Sequence, residues 1–187
     1  MAIDSGRIEA AVAEILLAIG EDPTRPGLTQ TPRRVAEAYA EYFAGVGVDP
    51  AGVLGEPIPG ESGELVLVKD IRFRSICEHH LLPFLGVAHV AYAPGEQIVG
   101  LGRLAAVVHA LASRPQLQER LTDEIADAIA DALAPAGVLV VIDAVHGCLS
   151  ARGPQQTESS TVTVAARGTL ADPVARAELM GLIGGSR

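Results

Sequence analysis

Cys77-Glu78-His79-His80 and, far along the chain, His146-Gly147-Cys148 hold both cysteines and three of the five histidines of this 187-residue sequence. They read as two halves of one metal site, so the fold has to bring them together. A thiolate and a neutral imidazole are good donors to a borderline-soft divalent ion, and Cys-x-x-His is short enough for one turn to present both. Cys77 and His80 are the first pair. The second half ends the run Gly137 to Cys148, whose β-branched residues read as a buried strand in which positions two apart project to one face. His146 and Cys148 then face one pocket. Three protein ligands leave a fourth tetrahedral position for water, the pattern of a catalytic zinc and not of a closed structural one. Two other readings stand beside it. A buried free cysteine is commonly just a small apolar residue, and Cys77 could pair with Cys148 as a disulfide, against which the lack of a secretory segment counts. Adjacent His79 and His80 are hard to explain together as core packing.

Outward from these stretches, the length suits one full core, with a helical extension rather than two independent domains. Hydrophobic residues make up 49% and aromatics only 3%, so the core must be built from Ala, Val, Leu and Ile. A formal charge of −9 and a single lysine, Lys69, exclude a nucleic-acid surface, which needs clustered Lys and Arg. No apolar leader and no run of 18 or more apolar residues is present, so neither secretion nor membrane spanning is expected and the cytoplasm is the default.

In chain order, Ser5 caps an expected helix striped by Ile8, Val12, Ile15, Leu16 and Ile19 and ended by Gly20. Thr31-Pro32 starts a second, with Val35, Ala38, Tyr39, Tyr42 and Phe43 as its buried face. Arg33 and Arg34 in its first turn oppose the helix dipole, so beside the reading of solvated, slightly unfavourable charges stands a role holding an anion there. Residues 45–63 read as a connecting loop. Residues 64–73 read as a strand with Leu65, Leu67, Ile71 and Phe73 on one face, and 86–92 as its return, in which His89 has no assigned role. Two antiparallel helices follow, the first marked by Leu101, Leu104, Val108 and Leu111. Pro115 opens the second, striped by Leu117, Leu121, Ile125, Ile129 and Leu133. Its polar face, Glu119 included, reads by itself as solvated. After the His146/Cys148 strand come a turn at 151–154, a Thr-rich strand over 157–167 and a terminal helix over 171–187. Arg152 lies four residues past Cys148, which brings its guanidinium within reach of the pocket. The pattern is α+β: antiparallel ββααββ, helices on one face of the sheet, with residues 1–63 as N-terminal extension and 64–187 as the catalytic domain.

Three segments in this order, Cys77-Glu-His-His-Leu-Leu-Pro-Phe84, Gln116-Leu-Gln-Glu-Arg-Leu-Thr122 and His146-Gly-Cys-Leu-x-x-Arg-Gly153, resemble GTP cyclohydrolase I, and the likeness runs from about Glu21 to about Gly168. The resemblance implies the tunnelling fold, sheets joined into a barrel in a toroidal homodecamer, and active sites between subunits. It implies hydrolytic opening of the guanine imidazole ring of GTP, with C8 released as formate and 7,8-dihydroneopterin triphosphate formed. Zn2+ would be held by Cys77, His80 and Cys148. His146 becomes the acid at N7 and His79 a second proton-transfer or positioning residue. Glu119 would accept from N1–H and the 2-amino group of guanine, with Gln118 supplying a further amide and Arg34, Arg103 and Arg152 meeting the phosphates. The sequence departs from the family pattern at Gly100-Leu-Gly-Arg-Leu-Ala-Ala106. Where the family has Ser, Lys and Arg, it has Gly102, Arg103 and Ala106. Chemistry looks intact and phosphate recognition altered, leaving as alternatives a diverged cyclohydrolase acting on another guanine nucleotide or modified purine, and a non-catalytic zinc scaffold.

Overall fold

Short polar caps and glycines set the first helices in the computed structural model, which describes residues 3–60, 63–153 and 155–185. Asp4, and not Ser5, caps α1 (Ser5–Ala18), accepting from the Arg7 N–H at 3.0 Å. A carboxylate one residue earlier reaches the same orphan donor and adds favourable charge at the dipole's positive end. Gly20, at φ +86°, closes the helix as expected. Its N–H donates to Leu17 O and that of Glu21 to Leu16 O, a Schellman pair that needs the left-handed residue glycine tolerates. Of the expected stripe only Leu16 is buried; Ile15 and Ile19 are 59% and 68% exposed. α2 (Thr31–Tyr42) starts one residue early, with Gln30 at the cap and Pro32 in the first turn. Pro32 and Ala36 form its buried face and Ala38 is exposed. Tyr39 and Phe43 meet edge to face at 5.2 Å.

The stretch read as a loop holds more structure. Asp49-Pro50 is a cap followed by a first-turn proline, and it starts α3 (Pro50–Leu54), whose Leu54 enters the main core. β1 (Ile58–Pro59) follows. Then come β2 (Val66–Cys77), β3 (Pro83–Ala93), β4 (Gln97–Ile98, paired with β1), α4 (Leu101–Ala112), β5 (Pro115–Gln116), α5 (Gln118–Leu133), β6 (Gly137–His146), α6 (Gly147–Ser150), β7 (Thr161–Gly168) and α7 (Pro173–Gly184). The large sheet has the order β5-β2-β3-β6-β7, antiparallel except where β5 runs parallel to the end of β2. The antiparallel α+β expectation holds in this sheet.

Pro115 therefore opens no helix. It pairs in register with Ile76, while Gln116 pairs with Cys77, and α5 begins only at Gln118. Leu121, Ile125, Ile129 and Leu133 are buried as their spacing requires. In α4, Leu104, Val108 and Leu111 are buried and Leu101 is exposed. β2 carries a bulge between Val68 and Ile71, with Asp70 at φ +58°. The extra residue reverses the side-chain parity. Val66 and Val68 join Ile71 and Phe73 against the helices, while Leu67 packs on the opposite face. Leu67 does not share a face with Phe73.

β6 explains its own continuous apolar run. Val138, Val140, Ile142 and Ala144 face the core under α4 and α5; Leu139 and Val141 face a second cluster with Leu170 and Leu179 of the C-terminal segment. Helices thus lie on both faces, α7 covering part of the side expected to be bare. α7 starts with Asp172 as its cap. Residues 186–187 of the expected terminal helix and Pro154 of the expected turn lie outside the described residues. No described helix is long and apolar enough to cross a membrane.

β3 and β6 approach closely at Gly86, where a Cβ would lie 2.1 Å from Asp143 O and 2.7 Å from Ala144 Cα. Both contacts are to backbone, which cannot swing aside. Gly86→Ala is expected to destabilise the chain by about 1–3 kcal/mol, read as a lowered urea midpoint; an unchanged midpoint would show that the strands can separate without cost.

Candidate functional site

β2 delivers Cys77 as its last residue, and the chain turns back at once into β3. Leu81 N–H donates to Cys77 O and Cys77 N–H to Leu82 O, both at 2.9 Å. Closing so tight a turn puts Leu81 at φ +51°, a left-handed conformation that costs a leucine strain. The turn is fastened from outside as well. Glu78 N–H donates to Gln116 O at 3.0 Å, and the Glu78 carboxylate pairs with the Arg120 guanidinium. Arg120 also donates to Gln116 Oε1 at 3.0 Å and holds the Glu78 carboxyl below the usual carboxylate range. The Cys-x-x-His turn is thereby tied to the first turns of α5.

The second half arrives differently from what strand periodicity implies. His146 is the last residue of β6, whereas Cys148 sits in the single turn of α6. Both still line one cleft. Gly147 makes this approach feasible: a Cβ there would be 2.8 Å from Pro83 O, at the start of β3.

Cys77, His80 and Cys148 each bring one ligand atom to within 4.8 Å of the others. Cys77 is buried, Cys148 half-buried and His80 exposed. Both cysteines are free, which disposes of the disulfide reading in this structure. Burial raises the Cys148 thiol above its ordinary range and the adjoining Cys77 raises it further, with Arg152 opposing. Two thiols crowded together in this way are unfavourable as thiolates unless a cation sits between them. Two sulfurs and one imidazole nitrogen converging on a point is the donor set of a site with one open tetrahedral position, so the residues present fit a divalent ion of zinc type.

Beside this cluster opens a cleft of about 210 Å3 lined by Cys77, His79, Gln118, Glu119, His146 and Cys148 among others. Six residues singled out from the sequence therefore meet in one place. His146 stacks on Phe84, ring centroids 4.7 Å apart and planes 5° from parallel. Its Nε2 lies 2.7 Å from Gln118 Oε1. Burial pushes the His146 pKa down, and Glu119 at the mouth of the cleft works against that. Glu119 is exposed in the first turn of α5, where the helix dipole favours its charge.

Gln118 departs from the expected role. Only 1% exposed, it turns its NH2 toward three acceptors, Ile142 O at 3.1 Å, Thr161 O at 2.8 Å and Thr163 Oγ1 at 3.1 Å, which share its two hydrogens. Its amide has no donor left for a purine. Arg34 is exposed on α2, and Arg103 donates to Val53 O at 3.3 Å beside Gly55; neither lines the cleft. Arg152 is exposed just past α6, close enough to act on Cys148. Reasoning from the sequence assigns no part to Phe84, Thr163 or Arg120. Phe84 lies inside the quoted motif, but nothing in a lone sequence says that an aromatic at the start of a strand will stack on a histidine 62 residues later.

A larger cavity of about 360 Å3 lies on the other face, lined by Asp70, His89, Asp143 and apolar residues of β6 and α7. His89 accepts there from the Asp70 N–H at 3.2 Å, which secures the β2 bulge.

A profile of the family described as GTP cyclohydrolase I matches residues 8–184. A GTP cyclohydrolase 1 of Leifsonia xyli subsp. xyli is 62% identical over 183 residues, 97% of this chain and 96% of that protein. Those of Carboxydothermus hydrogenoformans and Rhodopirellula baltica are 56% and 52% identical, each over 97% of this chain and over 96% and 80% of their own lengths.

Proposed function

This chain belongs to the GTP cyclohydrolase I family, and on that premise we propose how its own residues carry the reaction. It is a hydrolase that opens the imidazole ring of the guanine of GTP, releasing C8 as formate and leaving 7,8-dihydroneopterin triphosphate. The observation that supports the site assignment most directly is the meeting of Cys77, His80 and Cys148 beside a cleft that also holds His146 and Glu119.

Cys77, His80 and Cys148 hold Zn2+ in this reading. When bound, such an ion supplies water activated for attack near neutral pH. Glu119 accepts two parallel hydrogen bonds from the N1–H and 2-amino group, which fixes the base in the cleft with C8 toward the metal ligands. His146, half-buried and stacked on Phe84, delivers the proton to N7. His79, at the exposed side of the cleft, serves as the second proton-transfer or positioning residue. Gln118 is moved out of the substrate contacts, because its hydrogens are spent within the protein.

The cleft is smaller than the roughly 300–1,000 Å3 of complete small-molecule pockets. It suits a purine better than a whole nucleoside triphosphate, which supports sites completed by neighbouring copies. We propose the tunnelling-fold homodecamer on that ground and on the sheet edges: among the described residues β7 has no outer neighbour and β2 is covered only at its end by the short β5, and Val162 and Val164 are exposed on β7, edges that another copy would pair or cover. Arg34 and Arg103 then meet phosphates in an adjacent copy's cleft, and Arg152 in its own. The division into an extension over 1–63 and a catalytic unit over 64–187 is part of the same proposal, supported by α1 and α2 packing chiefly on each other, while at the end of the extension α3 packs on α4 and β1 pairs with β4. Work in the cytoplasm fits a site that needs its two thiols reduced.

Incubation with GTP, with formate and the fluorescent oxidised pterin measured together, tests the whole reading. Glu119→Gln should cut kcat/KM for GTP by about 10–100-fold, since the amide sets an NH2 against the donors of the base and a charge-assisted pair is lost. An unaltered kcat/KM would return Glu119 to the solvated face of α5.

Gly102, Arg103 and Ala106 bear on nucleotide choice. One missing charge-assisted contact weakens binding by ~1.5–3 kcal/mol, so discrimination of GTP over GDP and GMP should be shallow, and Ala106→Arg should steepen it. Steep preference for GTP that survives Arg103→Ala and Arg152→Ala would mean that other residues bind the triphosphate. Better turnover of GDP or GMP than of GTP would favour the diverged reading.

A further inference from the structure

The hydrogen bonds around Gln118 fix more than its own position, and their consequence for catalysis rests on reading His146 as the proton donor. Ile142 O and Thr161 O are carbonyl oxygens and can only accept, so the end of Gln118 that faces them must be its NH2. The Thr122 hydroxyl donates to Gln118 O at 2.7 Å. In its 2.6 Å contact with Thr163, Thr122 is therefore the acceptor and Thr163 the donor. Thr163 Oγ1 in turn lies 3.1 Å from the Gln118 NH2, whose two hydrogens are shared among this oxygen and the two carbonyls. Donation runs one way round this ring, and among the described residues no buried side-chain nitrogen or oxygen is left without a partner. Turning the amide over would set an oxygen against two carbonyls and an NH2 against His146. In a buried network each such reversal forfeits a bond and strands a polar group.

Gln118 Oε1 is thus fixed toward His146 Nε2 at 2.7 Å. An amide oxygen cannot donate, so this contact requires a hydrogen on Nε2 in both the neutral and the charged ring. The Phe84 stack holds the plane of the ring while the amide holds its rotation. We propose that Gln118 is a positioning residue that locks His146 in the Nε2–H form, which makes Nδ1 the nitrogen that carries the transferable proton. In the step itself the Nδ1–H bond of the imidazolium breaks, the hydrogen passes as a proton to N7 of the guanine, and the neutral Nε2–H imidazole remains against Gln118. No electron changes hands and no further reactant is needed. The role resembles that of groups behind metal-bound histidines, which fix tautomer and orientation without touching substrate.

The experiment has two arms. In solid-state 15N spectra of histidine-labelled zinc enzyme, the signals that vanish in His146→Ala belong to His146. Its neutral form should show Nε2 protonated and Nδ1 bare, and the reverse assignment overturns the lock without any change at Gln118. In the second arm Gln118→Met should lower kcat by about 10–100-fold while metal content stays at one per chain and KM for GTP holds within about two-fold. A raised KM at constant kcat, or an altered preference between GTP and inosine triphosphate, would show that the amide reads the base and overturn the proposal. If His146→Ala itself turns GTP over at the unmodified rate, the donor reading falls and delivery through Nδ1 falls with it. Loss in His146→Ala with full kcat in Gln118→Met defeats the positioning role alone. Should Gln118→Met fail to fold, the spectra of the unmodified enzyme decide.

Discussion

Cys148→Ala should empty the metal site, taking bound zinc from one ion per chain to a small fraction of that and formate release down by at least ~10³-fold. The expectation comes from geometry and charge. Cys77 is buried, His80 is exposed, and Cys148 closes the set from the far side of the Pro83–Gly147 contact. Without it two donors remain, one of them on the strained Leu81 turn, and a two-donor site competes poorly with water and buffer. An ion held by these residues would supply the activated water, so turnover should fall with occupancy. The fold should survive, since Cys148 lies at the edge of the main core and not in it. Zinc by elemental analysis and the thermal midpoint, measured on the same preparation, separate the two effects. Stoichiometric zinc with full activity in Cys148→Ala would remove this residue from the ligand set, and collapse of the fold would make the site structural as well as catalytic.

Much of this site was legible before the fold was, and the reason is chemical. Cys and His have few bland explanations when they recur at ligand spacing, so Cys77, His80, His146 and Cys148 could be picked out from the residues themselves, and Cys77, His80 and Cys148 converge beside the cleft that His146 lines. Glu119, which lines the same cleft, reads by itself as a solvated helix position and is singled out only by the family resemblance. Helices with strong periodicity were legible for the same kind of reason. The buried row Leu121, Ile125, Ile129 and Leu133 appears where its spacing put it. What failed were features decided by contacts between distant segments. Pro115 looks like a helix start until β2 offers it an edge to pair with. The parity switch at Asp70 comes from one inserted residue, which no alternation pattern announces. Gln118 is the most instructive case, since it lines the cleft but its amide is engaged within the protein. Beside Glu119 it looks like half of a base-reading pair, yet adjacent positions on a helix point about 100° apart. One faces the cleft mouth and the other the buried polar ring with Thr122 and Thr163.

His146→Ala should give the opposite pattern to Cys148→Ala, with zinc kept and ring opening lost. His146 stands outside the ligand triad, its Nε2 committed to Gln118 at 2.7 Å. Removing it leaves Cys77, His80 and Cys148 in place. What disappears on the proposed reading is a positioned acid, whose contribution to a step of this kind is typically about 10²–10⁴-fold. Alanine also vacates the stacking face of Phe84 and leaves Gln118 Oε1 without its donor, so a modest drop in stability is expected as well. The loss should appear in kcat with KM for GTP little changed, because the proposed reading gives the base to Glu119 and not to His146. His79→Ala is the informative neighbour. It sits on the exposed side of the same cleft, and a smaller loss there would rank the two histidines as donor and assistant. Equal losses would require both in one proton relay. Zinc lost from His146→Ala would place its imidazole among the metal ligands, and the acid would then have to be sought at His79.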